Sequence, residues 1–374
     1  MSWRECTLGD VIKLQRGHDL PERVRVDGPV PIISSSGVTG RHNVAKADPP
    51  GVVTGRYGTI GEVFYVEEPY WPLNTSLYVV DFKGNDPRFA AYLLRNLLKN
   101  YKSEKAAVPG VDRNVLHLLK VRTTERREQE RIVAVLSAYD DLIANNRRRI
   151  ALLEEAARML YREWFVHFRF PGHEHVNITD GLPEGWERIT LSRVVETNRA
   201  SYGSKELPEQ FNYIDISAVE RGRIVAKTSL SSAEAPGRAR RKAVDGDVIW
   251  SNVRPNLKAY ALVLEPNEAD VFSTGFTVLS GKNVPFSWLY LVVTTDTFVG
   301  HLVNHATGAG YPAVRPDDFE RAAVLLPPAK LLRHFHETAE PGFRLISKLE
   351  QQSRSLAQAR DLLLPRLMSG ELAV

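Results

Sequence analysis

The 374-residue sequence contains a single cysteine, Cys6, which excludes a disulfide framework and a cysteine-based zinc cluster. Its apolar runs fall short of the ~20 consecutive residues that span a bilayer, and its first residues do not resemble a signal peptide. We therefore expect a cytoplasmic protein. Because 43% of the residues are hydrophobic and 25% are charged, the chain can form two core-bearing domains with connectors.

Motifs of nucleotide and metal chemistry are also missing. The sequence has no GxxxxGK[S/T] phosphate loop and no GxGxxG motif after a predicted strand. The HEH and HFH tripeptides at 173–175 and 334–336 lack the i, i+4 spacing that directs two imidazoles at one metal, so we expect no metal site. Asp48-Pro49-Pro50-Gly51 resembles the Asp/Asn-Pro-Pro-aromatic loop of amino-methylating DNA methyltransferases, but Gly51 replaces the aromatic residue. A plain turn is the better interpretation, and we expect a non-catalytic chain.

Proline and glycine are absent from residues 125–170. Apolar residues recur there at steps of three and four, which predicts one α-helix. At ~1.5 Å per residue this helix would be on the order of 60 Å long, far longer than usual. A helix of that length needs a partner.

A second helix with the same apolar seam is predicted within residues 329–374. Four of its seam residues follow their counterparts in the first helix by a constant 203 positions. This repetition favours an antiparallel coiled-coil pair over two ordinary core helices. Pro341 and Gly342 predict a break in the second helix. The predicted seam consists of Ile143, Ile150, Leu153, Leu160, Trp164, Ile346, Leu349, Leu356, Leu363 and Leu367.

The two halves of the chain also resemble each other outside the helices. Trp, Thr, Leu and Val fall at the same spacing after Trp3 and Trp186, which we interpret as core anchors. Short β-type runs separated by Gly and Pro follow in each half. The sequence thus predicts an α+β fold made by tandem duplication of two strand-rich domains. The predicted boundaries are 1–124 for the first domain, 125–170 for the first helix, 171–185 for a connector, 186–328 for the second domain and 329–374 for the second helix.

Within the domains, we predict one helix and several strands per copy. The helices are predicted at Pro87–Lys99 and Phe286–Val299, each with a proline near its first turn. The predicted strands are Gly51–Thr54, Gly61–Val66, Leu77–Asp81, Val248–Ser251, Ala259–Leu264 and Phe276–Leu279.

Unusual loops suggest binding. Thr54–Gly61 places Arg56 and Tyr57 among glycines that let the backbone approach a phosphate. Arg56 can bind a guanine edge through two N–H groups, and Tyr57 can reach a phosphate or stack on a base. A tight strand connection is the alternative interpretation. In the second copy, residues 221–258 contain nine Lys or Arg against three Asp or Glu. Cations and amides there can contact phosphates and adenine edges, unless the stretch is only a solvated basic loop. These candidates are Arg238, Arg240, Arg241, Lys242, Asn252, Arg254, Asn256 and Lys258.

Two later loops, 105–114 and 307–317, also match each other, and each follows a predicted helix. They add four candidates for contact with DNA: Lys105, Arg113, Tyr311 and Arg315.

Together these features resemble the specificity subunit of type I restriction-modification systems. The resemblance covers nearly the whole chain and rests on the order of its motifs more than on any one of them. They are the Trp-x-x-x-x-Leu opening of each half, RYGTIG at 56–61, EQERI at 128–132, YREWF at 161–165, RFPG at 169–172 and PRLMSGEL at 365–372.

The resemblance implies a non-catalytic DNA reader in which each domain contacts one half of an asymmetric, bipartite site and the helices set the unread gap. It also implies two modification subunits that bind S-adenosylmethionine, and restriction subunits that use ATP and Mg²⁺. A coiled-coil adaptor or RNA-binding scaffold without DNA sequence specificity is the alternative. A chain with its own methyltransferase activity would need cofactor motifs that the sequence lacks.

Overall fold

The computed structural model describes residues 3–57, 59, 61–99, 101, 110–203 and 206–374, which form a mixed helix and sheet structure. The chain divides into two compact units. Unit 1 comprises Met1–Asn146 and Gln352–Val374, and unit 2 comprises Arg147–Gln351. Both division points fall inside long helices, so each unit combines one β-rich domain with one section of each helix.

Unit 1 has short strands and helices before its first long helix. Its strands are β1 (Arg4–Thr7), β2 (Lys13–Arg16), β3 (Val30–Ser34), β4 (Gly37–His42), β5 (Gly51–Gly55), β6 (Val63–Val66), β7 (Trp71–Pro72), β8 (Ser76–Asp81) and β9 (Lys120–Thr123). Its helices are α1 (Leu8–Val11), α2 (Pro87–Leu98), α3 (Arg113–Leu118) and the start of α4 (Arg126–Tyr161).

The central sheet of unit 1 has the order β2-β8-β5-β6 and is antiparallel throughout. A second sheet, β4-β3-β7, contains the parallel pair β3 and β7, while β1 pairs with β9. Strand β5 is buried on both faces because Val52 joins the core that contains α2, whereas Val53 joins a cluster with Ile33 of the second sheet. The Asp86 carboxylate caps α2 by accepting the Phe89 N–H at 2.9 Å.

Unit 2 has more strands. They are β10 (Ile178–Thr179), β11 (Leu182–Pro183), β12 (Glu187–Thr190), β13 (Val195–Thr197), β14 (Gln210–Ile214), β15 (Val219–Ile224), β16 (Thr228–Ser231), β17 (Ala239–Arg241), β18 (Val248–Ser251), β19 (Tyr260–Leu262), β20 (Asp270–Ser273), β21 (Phe276–Gly281) and β22 (Ala323–Leu326). The helices after β21 are α5 (Phe286–Val293), α6 (Asp296–His305), α7 (Pro316–Glu320) and α8 (Ala329–Ser369), which continues into unit 1.

The central sheet of unit 2 has the order β13-β21-β18-β19-β15. Its first four strands are antiparallel neighbours, in the same arrangement as β2-β8-β5-β6. The second sheet, β16-β14-β20-β17, again contains a parallel pair, β14 and β20, and β12 pairs with β22 as β1 does with β9. Trp250 of β18 lies on the α5 side, where its indole N–H donates to the Val293 carbonyl at 3.0 Å, and Ile249 lies in a separate core cluster.

The single helix predicted at 286–299 is wrong, because α5 ends at Val293 and α6 begins at Asp296. Two threonines cause the break. The Thr294 hydroxyl donates to the Tyr290 carbonyl at 2.7 Å, while the Thr295 hydroxyl accepts the Phe298 N–H and caps α6. No single helix of the described residues is long and apolar enough to cross a membrane; α5 and α6, bent by 58°, meet the length and composition criterion only together.

The long helices differ from the prediction at two points. Helix α4 ends at Tyr161 and passes into a π-helical turn, Arg162–Val166, instead of continuing to 170. There Trp164 and Phe165 turn into the core of unit 2. The predicted break at Pro341 is also wrong, since α8 is one uninterrupted helix. Pro341 and Glu337 lie on its exposed side, where water can replace the missing hydrogen bond, and buried Ala339 and Phe343 hold the neighbouring turns.

Each unit packs its own sections of α4 and α8 together. In unit 1, the Asn146 side-chain N–H donates to the Gln352 side-chain oxygen at 3.1 Å, and Asp140 contacts Arg360. In unit 2, Tyr161 at the end of α4 packs edge-on against Phe335 of α8, with 6.5 Å between ring centroids. In unit 1, the partners of Asp140 and Asn146 are Arg360 and Gln352, so rising residue numbers in α4 pair with falling numbers in α8. All ten predicted seam residues are buried or half-buried.

Glutamine 129, from the EQERI segment, fixes the start of α4 to the domain of unit 1. Its side-chain oxygen accepts the Asp86 N–H at 2.8 Å, and its N–H group donates to the Asn85 side chain and to the Thr124 carbonyl. Gln129 is only 1% exposed, so these bonds satisfy a buried amide.

Candidate nucleic-acid interface

In unit 1, β5 delivers Arg56 and Tyr57 to the end of the central sheet. The Arg56 N–H donates to the Thr75 carbonyl at 2.9 Å, and the Arg56 carbonyl accepts the Val111 N–H at 2.9 Å. A side chain at Gly55 would lie 1.9 Å from the Thr59 carbonyl oxygen, so this turn requires glycine. These contacts fix the backbone on both sides of Arg56.

The side chains of Arg56 and Tyr57 stack on each other. The Arg56 guanidinium carbon lies 4.4 Å from the centre of the Tyr57 ring, within the range of a cation–π contact. Tyr57 is 37% exposed. Stacking orients the guanidinium while leaving its N–H groups available.

Three arginines of unit 1 line one pocket of about 310 Å³. Arg16 comes from the end of β2, Arg56 follows β5, and Arg113 begins α3. The other lining residues are Tyr57, Leu77, Val111, Asp112 and Asn114. Arg16 was not predicted from sequence, since its place depends on the pairing of Arg16 with Leu77 across β2 and β8.

Hydrogen bonds hold helix α3 at its start and to strand β2. The Asp112 carboxylate accepts the Asn114 N–H at 2.8 Å, and His117 Nε2 accepts the Leu14 N–H at 2.9 Å. Burial lowers the pKa of His117, and the charge of Arg113 adds to this effect, so the imidazole stays neutral and accepts this bond. Lys105, the other candidate in this part of the sequence, lies outside the described residues.

Unit 2 repeats the backbone pattern with different side chains. The Asn252 N–H, after β18, donates to the Gly275 carbonyl at 2.8 Å, and the Asn252 carbonyl accepts the Val314 N–H at 2.9 Å. Asn252 therefore occupies the position of Arg56. Its side-chain oxygen accepts a hydrogen bond from the Thr277 hydroxyl at 2.6 Å, so this oxygen of the Asn252 amide is already bonded within unit 2.

Arg254 and Tyr311, predicted as separate candidates, lie together in unit 2. The Arg254 guanidinium carbon is 4.5 Å from the centre of the Tyr311 ring, and one of its N–H groups donates to the Gly310 carbonyl at 3.3 Å. The Arg254 backbone has φ of 51° and donates its N–H to the Pro312 carbonyl at 2.7 Å. Tyr311 is 73% exposed. This stack is more open to solvent than the one in unit 1.

The four basic candidates before β18 lie in or next to the edge strand β17. Arg238 is exposed, and its carbonyl accepts the Thr274 N–H next to Gly275. Arg240 and Arg241 are half-buried, and burial lowers the pKa of Arg241. The Lys242 ammonium lies 3.9 Å from the centre of the Tyr202 ring. Of these cations, Arg238 is thus the most available to a ligand.

Of the remaining candidates, Lys258 is paired, while Asn256 and Arg315 are exposed. The Lys258 ammonium pairs with the Asp296 carboxylate at 2.7 Å. Asn256 and Arg315 are exposed, and the Arg315 backbone N–H donates to the Asp318 carboxylate at 2.8 Å. Within the described part of the chain, no group of three or more His, Cys, Asp or Glu side chains is placed to hold a metal ion.

Comparison with known proteins identifies similar chains. Residues 1–155 match the family model of the type I restriction modification DNA specificity domain. Over 276 residues, the chain is 24% identical to the specificity subunit of the type I restriction enzyme MjaIX from Methanocaldococcus jannaschii, a match that covers 71% of this chain. It is 20% identical over 296 residues to the MjaVIII specificity subunit of the same organism, covering 76% of this chain and 69% of that relative. The match to the MjaIX subunit spans only 63% of the length of that relative.

The fold also resembles a solved structure, the S subunit of the type I restriction-modification system from M. genitalium. The TM-score is 0.62 at 16% sequence identity, and the alignment covers 98% of this chain and 96% of the other. At this identity the likeness concerns the fold alone. The matches in sequence confirm the predicted resemblance to type I specificity subunits.

Proposed function

We propose that this chain is the DNA-specificity subunit of a type I restriction-modification complex and that it recognises an asymmetric, bipartite DNA site. One observation carries the proposal: each unit presents an arginine stacked on a tyrosine beside the end of an equivalent central strand. The two stacks, Arg56 with Tyr57 and Arg254 with Tyr311, have similar distances of 4.4 and 4.5 Å. Arginine forks suit guanine edges and phosphates alike.

The equivalent strand orders support an origin by tandem duplication. The hydrogen bonds of Arg56 with Thr75 and Val111 have the same pattern as those of Asn252 with Gly275 and Val314. The loop sequences of the two domains differ, which favours two different half-sites. Each unit accordingly reads one half of the site.

The contacts within each unit support an antiparallel coiled-coil pair of α4 and α8. Both helices are continuous across the division between the units. In this proposal, their fixed length determines how many base pairs are left unread. They also offer a docking surface for two modification subunits. Because the two units of the chain are equivalent, the two modification subunits can bind in equivalent ways.

The chain itself is a non-catalytic subunit in this proposal. Modification subunits bind S-adenosylmethionine and transfer the methyl group, while restriction subunits supply ATP-driven and Mg²⁺-dependent cleavage. The match of residues 1–155 to a DNA specificity domain supports the recognition role of this chain. The residues that we assign to DNA binding are donors and aromatic rings, which are suited to recognition.

Reconstitution tests the proposal. Radiolabelled S-adenosylmethionine is incubated with host DNA and the full chain alone, the modification subunits alone, or both. We expect methyl transfer to one defined site only in the mixture. Binding of S-adenosylmethionine by the chain alone would contradict the non-catalytic assignment. Preference of the assembled complex for RNA over duplex DNA would instead support an RNA-binding scaffold.

A further inference from the structure

The arginine pocket of unit 1 concentrates positive charge with little compensation. Arg16, Arg56 and Arg113 come from three separate segments and line the same space. Among the described residues that line it, Asp112 is the one carboxylate, and it already accepts the Asn114 N–H. Within the described residues, neither Arg56 nor Arg113 pairs with a carboxylate, and Arg16 has only an exposed pair with Asp19 at 3.7 Å. Like charges that line one space repel each other, and a bound anion relieves this repulsion.

The chemistry of the pocket favours a phosphate over a base edge. The major-groove edge of guanine offers two acceptors, O6 and N7, which one arginine can satisfy. A phosphodiester spreads its negative charge over two free oxygens, which accept several charge-assisted hydrogen bonds from more than one guanidinium. Three arginines therefore match a phosphate better than they match one base.

Unit 2 lacks this arrangement among its described residues. Asn252 stands in the place of Arg56, and Thr277 stands in the place of Leu77, as the pairing of β5 with β8 and of β18 with β21 shows. Their hydrogen bond at 2.6 Å joins two neutral side chains where unit 1 has an open cationic pocket. In the nearby stack of Arg254 on Tyr311, the tyrosine is 73% exposed.

We propose that Arg16, Arg56 and Arg113 form a binding site for one phosphodiester group of the DNA backbone. This inference rests on the proposed function and adds a division of roles within it. The pocket positions unit 1 on the duplex without reading sequence, since phosphates are the same at every base pair. Arg16 is the residue that this proposal newly assigns to DNA binding.

The test uses the full chain with its modification subunits and a fluorescein-labelled duplex that carries the methylated site. A second duplex has the half-site of unit 1 scrambled. We expect Arg16→Ala and Arg113→Ala each to weaken binding about tenfold on both duplexes, the loss of roughly one charge-assisted contact. The slope of log affinity against log salt should fall in both variants, by at most ~0.9, the value for one neutralised phosphate. The methylated sequence itself should stay unchanged.

Two variants serve as controls. Arg23→Ala removes an exposed arginine of the same unit that does not line the pocket, and it should leave affinity and salt slope unchanged. Arg16→Lys keeps the positive charge but cannot donate two parallel hydrogen bonds as a guanidinium does. It should retain most of the salt slope and have intermediate affinity. Circular dichroism of each variant confirms that the fold is intact.

Specific results would overturn the assignment. Wild-type affinity and slope in both alanine variants would show that the pocket does not contact DNA, and an altered methylated sequence would show that it reads bases. Titration calorimetry with inorganic phosphate separates a free-anion site from a DNA site. Phosphate binding that Arg16→Ala abolishes without any change in DNA affinity would also contradict the proposal. Failure of the wild-type complex to bind its site at all would instead refute the proposed function.

Discussion

In unit 1, the sections of α4 and α8 share a charged cluster, whereas in unit 2 they share a cluster of aromatic rings. The Asp140 carboxylate accepts the Tyr92 hydroxyl at 2.6 Å and contacts Arg95 and Arg360 in unit 1. In unit 2, Tyr161 of α4 packs edge-on against Phe335 of α8 with centroids 6.5 Å apart, and Phe165 of the following π-helical turn lies 4.8 Å from Phe335. The same helices are thus held by contacts with different dependence on pH and salt.

A second contrast concerns the loops at the end of the central sheets. Unit 1 has a cationic pocket, while unit 2 has an internal Asn252–Thr277 hydrogen bond and an exposed Arg254–Tyr311 stack. Equivalent backbones therefore carry side chains that suit different tasks. The scaffold can be kept while the ligand contacts change, because the backbone bonds do not involve those side chains.

Removing the aromatic contact in unit 2 should have the largest effect on the free energy of unfolding. Phe335 is fully buried, so Phe335→Ala should lower the free energy of unfolding by roughly 3–5 kcal/mol through lost burial and a cavity. Phe335→Leu should cost much less because it refills most of the space. Urea denaturation followed by tryptophan fluorescence measures both. Equal stability of Phe335→Ala and wild type would show that the rings do not hold the helices.

Removal of the charged cluster in unit 1 should have a smaller effect that depends on pH. Burial alone would raise the pKa of Asp140, but hydrogen bonds from Tyr92 and Arg360 lower it below its ordinary value of 3.8. Asp140→Ala should cost about 2 kcal/mol near neutral pH, since it removes the acceptor of the Tyr92 hydroxyl and one of the two carboxylates that pair with the half-buried Arg360, the other being Asp361.

The sign of this pH dependence follows from the lowered pKa. The stabilisation by Asp140 is complete above the pKa of an unfolded aspartate and is lost as the pH falls through the lower pKa of the folded state. Urea denaturation between neutral and acid pH should show this loss in wild type, while Asp140→Asn should flatten it. An unchanged acid profile in Asp140→Asn would assign the acid sensitivity to other carboxylates.

Substitutions of the stacked arginines sharpen the contrast between the loops. Arg254→Ala should weaken binding to the methylated site by roughly 1–3 kcal/mol and, if Arg254 reads a base, relax the sequence of one half-site. Arg56→Ala should weaken binding to any duplex and reduce the salt slope. Fluorescence anisotropy on specific and scrambled duplexes measures both effects, and Arg254→Lys controls for charge alone. Identical behaviour of the two alanine variants would remove the distinction between the units.

The smallest expected effect is on the internal hydrogen bond of unit 2. Thr277→Val keeps the shape of the side chain but removes the bond to Asn252, and it should cost about 1 kcal/mol of unfolding free energy. Thr228→Val, at an exposed position of β16, should be nearly neutral. Thermal denaturation compares the two. A neutral Thr277→Val would mean that Asn252 finds another partner.

Much of the scaffold could be predicted from the sequence because its signals are local. Short apolar runs between Gly and Pro located β5, β8 and β18 within a residue or two at each end. Pro341 misled the prediction, since packing on both sides outweighs the loss of one hydrogen bond. The break between α5 and α6 was missed because it depends on two threonine side chains.

The candidate site was harder to predict because its members come from distant segments. Arg56 and Tyr57 adjoin in sequence, and their glycine-flanked loop indicated them. Arg16 joins them only through the register of β2 with β8, and Arg254 meets Tyr311 only through loops that are far apart in sequence. Residue type alone indicates which side chains could bind DNA, but strand pairing determines which of them lie close together.

Single-molecule mapping of methylated bases in host DNA shows most directly whether this chain selects a bipartite DNA site. It compares cells that produce the modification subunits with this chain and cells that lack this chain. We expect one interrupted motif with two different halves and a gap of constant length, present only with this chain. A continuous motif, or the same motif without this chain, would contradict it.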